Sequence, residues 1–480
     1  LGGVLFAAQW IAWKRLIAIE RRAAALRVAS LIGAAAVVLS ICVEKSIYAQ
    51  AELTQDRRVA EVSDVFPLYA RLDVTALLPE PLIEARERLP EEPVAYEGAR
   101  LVYPLHAPTL APNGPRPNIL VLVVDSWRRD MLREDVTPHL ARFAADARRF
   151  DDHLSSGNGT RFGVFGLLYG LHGSYWWPML EARRCPVLLS ALAELGYEQA
   201  VFSSASMSYP EFRSTAWVEL AEHVRDEFGD RRQSERDQAA VDACLDWWRT
   251  RDASRPSFTF VLLDAAHQRY DFTAEDELFT PYATDFDYLE MAGSHDAALV
   301  ESVRNRYMNA LHGVDRAAAR LLDELRRSGA LEHTLVVVTG DHGEEFAENG
   351  YWGHTGNFTR EQVAVPFLLR GPGVGRGVET RPTSHVDLAG TLLGLLGADP
   401  AERGAWCLSE DLLAPPAQRA RVVAGWEEVG LWTDSGIFRI PRERKARAGA
   451  AVCDATWQIL EDQHTAFRNE APALARLVEE

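Results

Sequence analysis

The sequence lacks an excess of positive charge, paired cysteines and internal repeats. Its 51 Lys and Arg residues are outnumbered by 69 Asp and Glu, which gives a formal net charge of −18 at pH 7. Because nucleic-acid-binding proteins neutralise phosphates with clustered Lys and Arg, this balance argues against nucleic acid as a partner. The five cysteines form no C-x-x-C pair, which excludes zinc-finger and thioredoxin-type motifs. The spacing of the four cysteines after residue 44 allows zero, one or two disulfides.

Two apolar stretches near the start of the chain predict membrane-spanning helices. Residues 1–13 and 28–43 carry no charge, and five basic residues lie between them. A short basic loop belongs in the cytoplasm by the positive-inside rule, so the second segment would lead out of the cytoplasm, into the periplasm of a diderm bacterium. A signal peptide cleaved near residues 49–51 is the alternative. Since the sequence begins inside an apolar segment, we expect residues 1–43 to be the last two segments of a larger bundle in the inner membrane.

The 480 residues, 47% of them hydrophobic, are enough for a sizeable core. Residues 44–116 are mixed in composition and rich in proline towards their end, so we interpret them as a periplasmic linker. Beyond them, apolar runs that suit strands buried on both faces alternate with helix-like stretches, of which the clearest covers about 299–328. The runs cover residues 118–124, 199–204, 258–264, 334–341 and 366–371.

This alternation predicts an α/β fold with a mostly parallel central sheet flanked by helices, over residues 117–400. Residues 401–480 contain further strand-like runs in which antiparallel hairpins are possible. We interpret this last part as a C-terminal subdomain of the same fold, without chemistry of its own.

Acidic residues end three of the predicted strands: Asp125, Asp264 and Asp341. In open α/β sheets, functional sites lie outside the carboxyl ends of the strands. A single strand-end Asp is more often a helix cap or a turn former, but three carboxylates at one edge repel each other unless a cation joins them. Asp341 with His342 offers one oxygen and one nitrogen ligand, which suits zinc or manganese and suits magnesium less well.

A candidate nucleophile follows the small, polar stretch "SSGNG". Thr160 would lie at or near the start of a helix, where free backbone N–H groups favour an oxyanion or a phosphate. Arg161 adds a positive charge that can bind phosphate oxygens in a fork. Coordination to a divalent metal would activate the Thr160 hydroxyl. The alternative interpretation is that Thr160 only caps the helix.

Two histidines in predicted loops are candidates for proton transfer. His267 and His354 could each protonate a leaving oxygen or bind a phosphate oxygen, although a loop histidine is more often only a surface residue. Trp176, Trp177 and Trp352 are expected near the same site. They would either pack in the core or form an apolar wall for acyl or sugar groups.

The order of these elements resembles the sulfatase branch of the alkaline phosphatase superfamily. The resemblance covers about residues 117–400 and is carried by "NILVLVVDS", the Thr-Arg turn before a Gly-rich helix, "TLVVVTGDHGEEF", "VPFLLRGPG" and "SHVDLAGTLL". Other segments, such as "SSGNGTRFGVFGLLYGLHGSYW" and "LLDAAHQRYDF", are similar to the YejM/PbgA family of inner-membrane proteins. Members of that family have several N-terminal transmembrane helices followed by a periplasmic sulfatase-like domain.

The resemblance implies a site with a divalent metal ion, zinc, manganese or magnesium, and a threonine nucleophile. The implied metal ligands are Asp125, Thr160, Asp341 and His342. The implied contacts to substrate oxygens are made by Arg161, His267 and His354.

Two departures from the sulfatase pattern bear on the chemistry. Sulfatases use a C/S-x-P-x-R motif in which the Cys or Ser becomes formylglycine, whereas this chain reads "GTRFG" at residues 159–163. The difference disfavours sulfate esters and favours the threonine pattern of lipid phosphoethanolamine and phosphoglycerol transferases. In addition, Asp125 is followed by Ser126, where many sulfatases have a second acid.

Two functional hypotheses result. The first is a metal-dependent hydrolase or phosphotransferase that acts on lipid head groups or other phosphoesters. The second is a non-catalytic sensor and regulator, for which the resemblance implies control of lipopolysaccharide synthesis through binding of lipid A and of a membrane adaptor such as LapB. Both hypotheses expect membrane lipids as partners, either lipopolysaccharide or phospholipid head groups.

Overall fold

The computed structural model describes residues 39–43, 45–46, 101–285, 291, 296–414, 420–442 and 450–479. Residues 1–38 of the predicted membrane region and residues 47–100 of the predicted linker lie outside this part of the chain. No helix among the described residues is long and apolar enough to cross a membrane. The fold below is that of the compact unit Ala99–Glu480.

Sixteen strands are present among the described residues of this unit. In chain order they are β1 (Asn118–Val124), β2 (Arg148–Phe150), β3 (His153–Leu154), β4 (Glu198–Ser203), β5 (Val224–Arg225), β6 (Ser257–Leu263), β7 (Thr334–Gly340), β8 (Glu345–Phe346), β9 (Trp352–Gly353), β10 (Phe367–Arg370), β11 (Gly377–Glu379), β12 (Thr383–Ser384), β13 (Arg421–Ala424), β14 (Glu428–Thr433), β15 (Gly436–Pro441) and β16 (Ala451–Cys453).

The same residues include ten α-helices. In chain order they are α1 (Pro138–Ala145), α2 (Thr160–Tyr169), α3 (Trp176–Ala182), α4 (Val187–Glu194), α5 (Gln233–Thr250), α6 (Ala297–Arg327), α7 (Arg360–Val363), α8 (Asp387–Leu395), α9 (Gln463–Asn469) and α10 (Ala471–Glu479).

The central sheet has eight strands in the order β11-β2-β10-β7-β1-β6-β4-β5. Strands β7, β1, β6, β4 and β5 run parallel to one another, and β10 is antiparallel to both β7 and β2. The prediction of a mostly parallel sheet is therefore confirmed. The five predicted strands agree with β1, β4, β6, β7 and β10 to within one residue at each end, because each is a continuous apolar run between polar turns.

Strand β1 shows why these runs are apolar throughout. Its odd-numbered residues from Ile119 to Val123 pack in a core with α2, α4 and α8. Its even-numbered residues from Leu120 to Val124 pack in a second core with α1, α5 and α6. Since alternate side chains of a strand point to opposite faces, the sheet is covered by helices on both sides, as in other parallel sheets.

The chain after residue 400 adds a separate antiparallel sheet in the order β13-β14-β15-β16. Its neighbouring strands pair antiparallel, an arrangement that the sequence had left open as a possibility. The sheet contacts the rest of the unit near the candidate nucleophile, because Gly157 forms a bridge with Ala424 at the end of β13. This contact brings the β13–β14 turn to the functional site.

The four cysteines after residue 44, at positions 185, 244, 407 and 453, are buried free thiols. Of the possibilities that the sequence left open, the described residues therefore contain no disulfide.

Candidate active site

The three strand-end acids lie at one edge of the sheet. Strands β7, β1 and β6 are adjacent, and their register pairs the last residue of β1 with the last residues of both neighbours. Asp125, Asp264 and Asp341 directly follow these three strands, and each is at most 7% exposed. The fold thus brings together the carboxylates that the sequence predicted to converge.

Asp341 accepts two backbone hydrogen bonds at one oxygen, while its other oxygen lies 3.5 Å from His342 Nε2. Its Oδ1 accepts hydrogen bonds from the backbone N–H groups of Ser126 at 3.0 Å and His342 at 2.8 Å. Ser126 has a φ of 59°, a left-handed conformation that is uncommon outside glycine and that follows directly after β1. Asp341 Oδ2 is buried and has no hydrogen-bond partner. A buried carboxylate oxygen in this state is costly unless a cation or a proton compensates it.

Thr160 is the first residue of α2, and Gly159 occupies the N-cap position. The interpretation of Thr160 as the helix cap is therefore not supported, since no side chain caps this helix. Thr160 Oγ1 lies 3.3 Å from Asp125 Oδ2 and 3.3 Å from His342 Nε2. The hydroxyl of the candidate nucleophile is thus between two of the predicted metal ligands.

Close packing of α2 against the loop after β7 fixes this arrangement. Ser155 Oγ donates a 2.5 Å hydrogen bond to the backbone oxygen of Asp341. A Cβ atom at Gly163 would lie 2.1 Å from the same oxygen. Only glycine therefore lets the first turn of α2 approach Asp341 this closely.

Three histidines of the site are each held through Nδ1, which hydrogen-bonds to a nearby oxygen. The Nδ1 atoms of His342 and His267 lie 2.8 and 2.9 Å from the backbone oxygens of Gly343 and Gln268. Because a carbonyl only accepts, each of these Nδ1 atoms carries a hydrogen. His354 Nδ1 lies 2.7 Å from a carboxylate oxygen of Glu344, with the same consequence. The His354 ring centroid is 4.3 Å from that of His342 and 5.2 Å from that of His267, so the three rings form one group.

Glu344 fixes the orientation of His354. It is fully buried, and its second oxygen accepts a 2.5 Å hydrogen bond from the hydroxyl of Tyr270. Burial would raise the pKa of Glu344, but the adjacent His354 and the Tyr270 hydroxyl lower it, so the group is a carboxylate. A carboxylate behind an imidazole holds the ring in place and sets its tautomer.

Replacing Glu344 by glutamine is expected to destabilise the protein by about 1–3 kcal/mol, because the amide has one acceptor oxygen and can keep only one of the hydrogen bonds that Tyr270 and His354 now donate. Urea unfolding of Glu344→Gln measures this change. The matched control is Glu332→Gln, which removes an exposed carboxylate that pairs with Arg370 at the surface and should change stability less. Equal effects of the two substitutions would contradict the assigned role of Glu344.

The carboxylates and imidazoles at this edge of the sheet shift each other's pKa values. Burial and the neighbouring Asp125 raise the pKa of Asp341 well above its usual value. Burial would also raise the pKa of Asp125, but the imidazoles of His267, His342 and His354 lower it. Burial would lower the pKa of His267, but the carboxylates around it, with Asp125 foremost, raise this pKa to about 9. His267 is therefore protonated at neutral pH in the metal-free protein, where the carboxylates lack another cation.

The donor set fits a divalent metal ion. Asp125, Asp341 and His342 each offer one ligand atom, and these atoms all lie within 4.8 Å of one another. The orphaned Oδ2 of Asp341 belongs to this group, and Thr160 Oγ1 lies beside it. Carboxylate oxygen with imidazole nitrogen suits zinc or manganese and permits magnesium. A second group is formed by His342, Glu344 and His354, but both Glu344 oxygens already accept hydrogen bonds.

Arg161 is enclosed rather than open to solvent. Its side chain is 3% exposed, and its Nη2 donates a 2.8 Å hydrogen bond to Glu211 Oε2. Four aromatic rings surround the guanidinium, those of Trp176, Trp177, Tyr209 and Trp426. Of the tryptophans expected at the site, Trp176 is fully buried in the core and Trp177 is half-buried against Arg161, while Trp352 packs against the core that contains α6.

Sequence reasoning did not assign Glu344, Tyr270, Glu211 or Trp426 to the site. Only Glu344 could have been suspected from the sequence, because it stands two residues after the candidate ligand His342. The other three lie in loops or turns whose position depends on the tertiary fold.

Comparison with known proteins places this site in a family. The Sulfatase family model matches residues 117–398. The inner membrane protein YejM of Salmonella typhi is 24% identical over 331 residues, which cover 68% of this chain and 50% of that protein. The chain spans about half the length of the curated relatives it matches.

Solved structures show the same fold. An alkaline phosphatase superfamily protein from Vibrio parahaemolyticus has a TM-score of 0.55 at 17% identity, covering 78% of this chain and 90% of that one. The phosphonate monoester hydrolase of Agrobacterium radiobacter has a TM-score of 0.57 at 16% identity, covering 76% of this chain and 96% of that one. Because the family model matches more than half of the sequence, the chain belongs to the Sulfatase family, with the fold of the alkaline phosphatase superfamily and with YejM among its homologues.

Proposed function

We propose that this chain is a metal-dependent phosphoester hydrolase or phosphotransferase in which Thr160 is the nucleophile. One observation carries the proposal: Thr160 Oγ1 lies 3.3 Å from both Asp125 and His342, and the group is completed by Asp341 Oδ2, which is buried without a hydrogen bond and lies 3.5 Å from His342 Nε2. A divalent ion held by Asp125, Thr160, Asp341 and His342 would lower the pKa of the hydroxyl and offset charge on the phosphoryl oxygens.

The residues around Thr160 supply the remaining steps. Its hydroxyl donates to Asp125 Oδ2, which takes the proton as Oγ1 attacks phosphorus. The bond from phosphorus to the leaving alcohol breaks, and the leaving oxygen takes a proton from His354 or His267. Water or an acceptor alcohol then gives its proton to the same histidine and attacks phosphorus, the bond from phosphorus to Thr160 Oγ1 breaks, and Oγ1 regains its proton from Asp125. The acceptor decides whether the reaction is a hydrolysis or a transfer. Arg161 is proposed to bind a substrate oxygen.

Phosphoesters rather than sulfate esters are the proposed substrates, because Thr160 stands where a formylglycine precursor would be needed. The experiment is an assay of the chain with p-nitrophenyl phosphate, bis(p-nitrophenyl) phosphate and p-nitrophenyl sulfate, with zinc, manganese or magnesium added. We expect turnover of a phosphoester and, after acid quenching, a Thr160 peptide that carries one phosphoryl group. Faster turnover of the sulfate ester without a modified Thr160 would contradict the proposal.

The proposed setting is the bacterial inner membrane, with the Sulfatase domain in the periplasm. Support comes from the homologue YejM, which is an inner membrane protein, and from the apolar segments in residues 1–43. Lipid head groups, of phospholipids or of lipopolysaccharide, would then be within reach as substrates. Proteolysis of spheroplasts tests the orientation: the domain should be cut from outside, and full protection would contradict a periplasmic location.

A second role is proposed as the alternative, a non-catalytic sensor of lipid A that acts through a membrane adaptor such as LapB. The similarity to YejM over 68% of the chain favours it. The Thr160→Ala variant separates the two roles in cells. Full regulatory function of this variant would contradict catalysis as the physiological role, and lost regulation with intact folding and lipid binding would contradict a purely non-catalytic sensor.

A further inference from the structure

The cage around Arg161 is built from three distant parts of the chain. Trp177 belongs to α3, Tyr209 and Glu211 to the loop after β4, and Trp426 to the turn between β13 and β14. The Trp426 ring is the nearest, with its centroid 4.2 Å from Arg161 Cζ, and the Trp177 centroid lies at 4.9 Å. The two tryptophan rings also contact each other, with centroids 6.0 Å apart.

The guanidinium inside this cage has few hydrogen bonds. Arg161 Nη2 donates to Glu211, while the Nε–H is buried and has no partner. Glu211 is 33% exposed, so water competes for it. Most buried polar groups have a hydrogen-bond partner, and a guanidinium presents a planar fork that matches the oxygens of a phosphoryl or carboxylate group. Aromatic faces stabilise the cation without using its N–H donors, so the Nε–H, which has no hydrogen-bond partner, remains available to a bound anion.

The β13–β14 turn is tied directly to the loop before the nucleophile. The N–H of Asn158 donates to the oxygen of Ala424 at 3.3 Å, and the N–H of Ala424 donates to the oxygen of Ser156 at 2.8 Å. These bonds fix Trp426, two residues after Ala424, relative to the residues that precede Thr160. The antiparallel sheet is thereby part of the wall of the site.

We propose that Trp426, with Trp177 and Glu211, positions Arg161 beside Thr160 to bind an anionic oxygen of the substrate, so that the C-terminal hairpin is a required part of the active site. The inference rests on the proposed function and deepens it. It also revises the expectation that the chain after residue 400 has no role in the chemistry. Trp426 is a positioning residue, because it acts through Arg161.

The first test needs no substrate. The Arg161→Ala variant leaves the rings and Glu211 in place and opens a space that fits a free guanidinium. Calorimetric titration with methylguanidinium should show binding to Arg161→Ala, and binding should be weakened about tenfold or more in the double variant Arg161→Ala/Trp426→Ala. Equal binding to both variants would overturn the proposal.

The second test uses turnover. Trp426→Ala should raise the KM for a phosphoester by about tenfold, the loss expected for a desolvated cation–aromatic contact, and should have no further effect in the Arg161→Ala background. Trp426→Phe, which keeps a ring, should recover most of the activity, and methylguanidinium should restore turnover of Arg161→Ala but not of the double variant. If Trp426→Ala raised the KM as much in the Arg161→Ala background as in the unmodified chain, the proposal would be overturned.

Controls separate positioning from folding. Trp248→Ala removes another cation–aromatic contact of similar length, because Arg251 Cζ lies 4.4 Å from the centroid of the Trp248 ring. This contact is at the C-terminal end of α5. This variant should leave KM unchanged. If Trp426→Ala does not fold, Trp177→Ala tests the same cage from α3 and should show the same dependence on Arg161. Absence of phosphoester turnover in the unmodified chain would count against the proposed function, while calorimetry would still decide whether the cage holds a guanidinium.

Discussion

Replacing Thr160 by alanine is expected to lower kcat by about 10³-fold or more, as removal of a catalytic nucleophile does in enzymes that form a covalent intermediate. The alanine removes the atom that lies between Asp125 and His342 and leaves the other groups of the site in place. Thr160 is half-buried, and its contacts to Asp125 and His342 are both long, at 3.3 Å, so stability should change by about 1 kcal/mol or less. Steady-state kinetics and urea unfolding, measured on the same preparation, test both statements.

Two further variants make the result specific to the nucleophile. Thr160→Ser keeps a hydroxyl and should retain measurable turnover and the phosphorylated peptide. Thr456→Ala removes an exposed hydroxyl that donates to Asp454 in the C-terminal part of the chain, and it should behave as the unmodified chain. Unchanged kcat in Thr160→Ala would show that Thr160 is not the nucleophile.

Replacing Gly163 by alanine is expected to destabilise the protein by about 3 kcal/mol or more, because overpacking against a rigid backbone cannot be relieved by a rotamer change. The added Cβ would lie 2.1 Å from the backbone oxygen of Asp341. Either α2 moves away from β7 or the loop that carries Asp341 and His342 moves. In both cases the distance from Thr160 Oγ1 to His342 increases, so turnover should fall together with stability.

Gly375→Ala is the matched control, since nothing lies within 4 Å of a Cβ at Gly375 and no left-handed φ is required there. Its stability, measured by urea unfolding, should stay within about 0.5 kcal/mol of the unmodified chain. A Gly163→Ala variant as stable as this control would contradict the close contact between α2 and the Asp341 loop.

The central part of the fold was predictable because its signals are local. Buried parallel strands need apolar residues on both faces, so β1 and β7 stand out as continuous runs, and the first polar residues after them are Asp125 and Asp341. Once the sheet is known to be parallel, the convergence of these acids follows from topology alone. Thr160 was placed correctly at a helix start by the small polar residues before it.

The rest of the site depends on contacts between distant segments. Nothing near Arg161 in the sequence indicates that Trp426 covers it or that Glu211 pairs with it. Glu344 is next to a recognisable motif, but it orients His354 with the help of Tyr270. The position of Tyr270 depends on the loop after β6. The short strands β2, β11 and β12 were not predicted either, because two or three residues carry no periodicity.

The central claim, a metal site at the ends of β1 and β7, is tested most directly by the metal content of the purified chain beside that of Asp341→Asn. Asparagine keeps the acceptor oxygen that binds Ser126 N–H and His342 N–H, and it replaces Oδ2 by a nitrogen that cannot act as a ligand. Elemental analysis after exposure to zinc, manganese or magnesium should find close to one divalent ion per unmodified chain and almost none in the variant. A folded chain without metal, or equal metal in both proteins, would contradict the claim and leave the Sulfatase fold here as a binding scaffold.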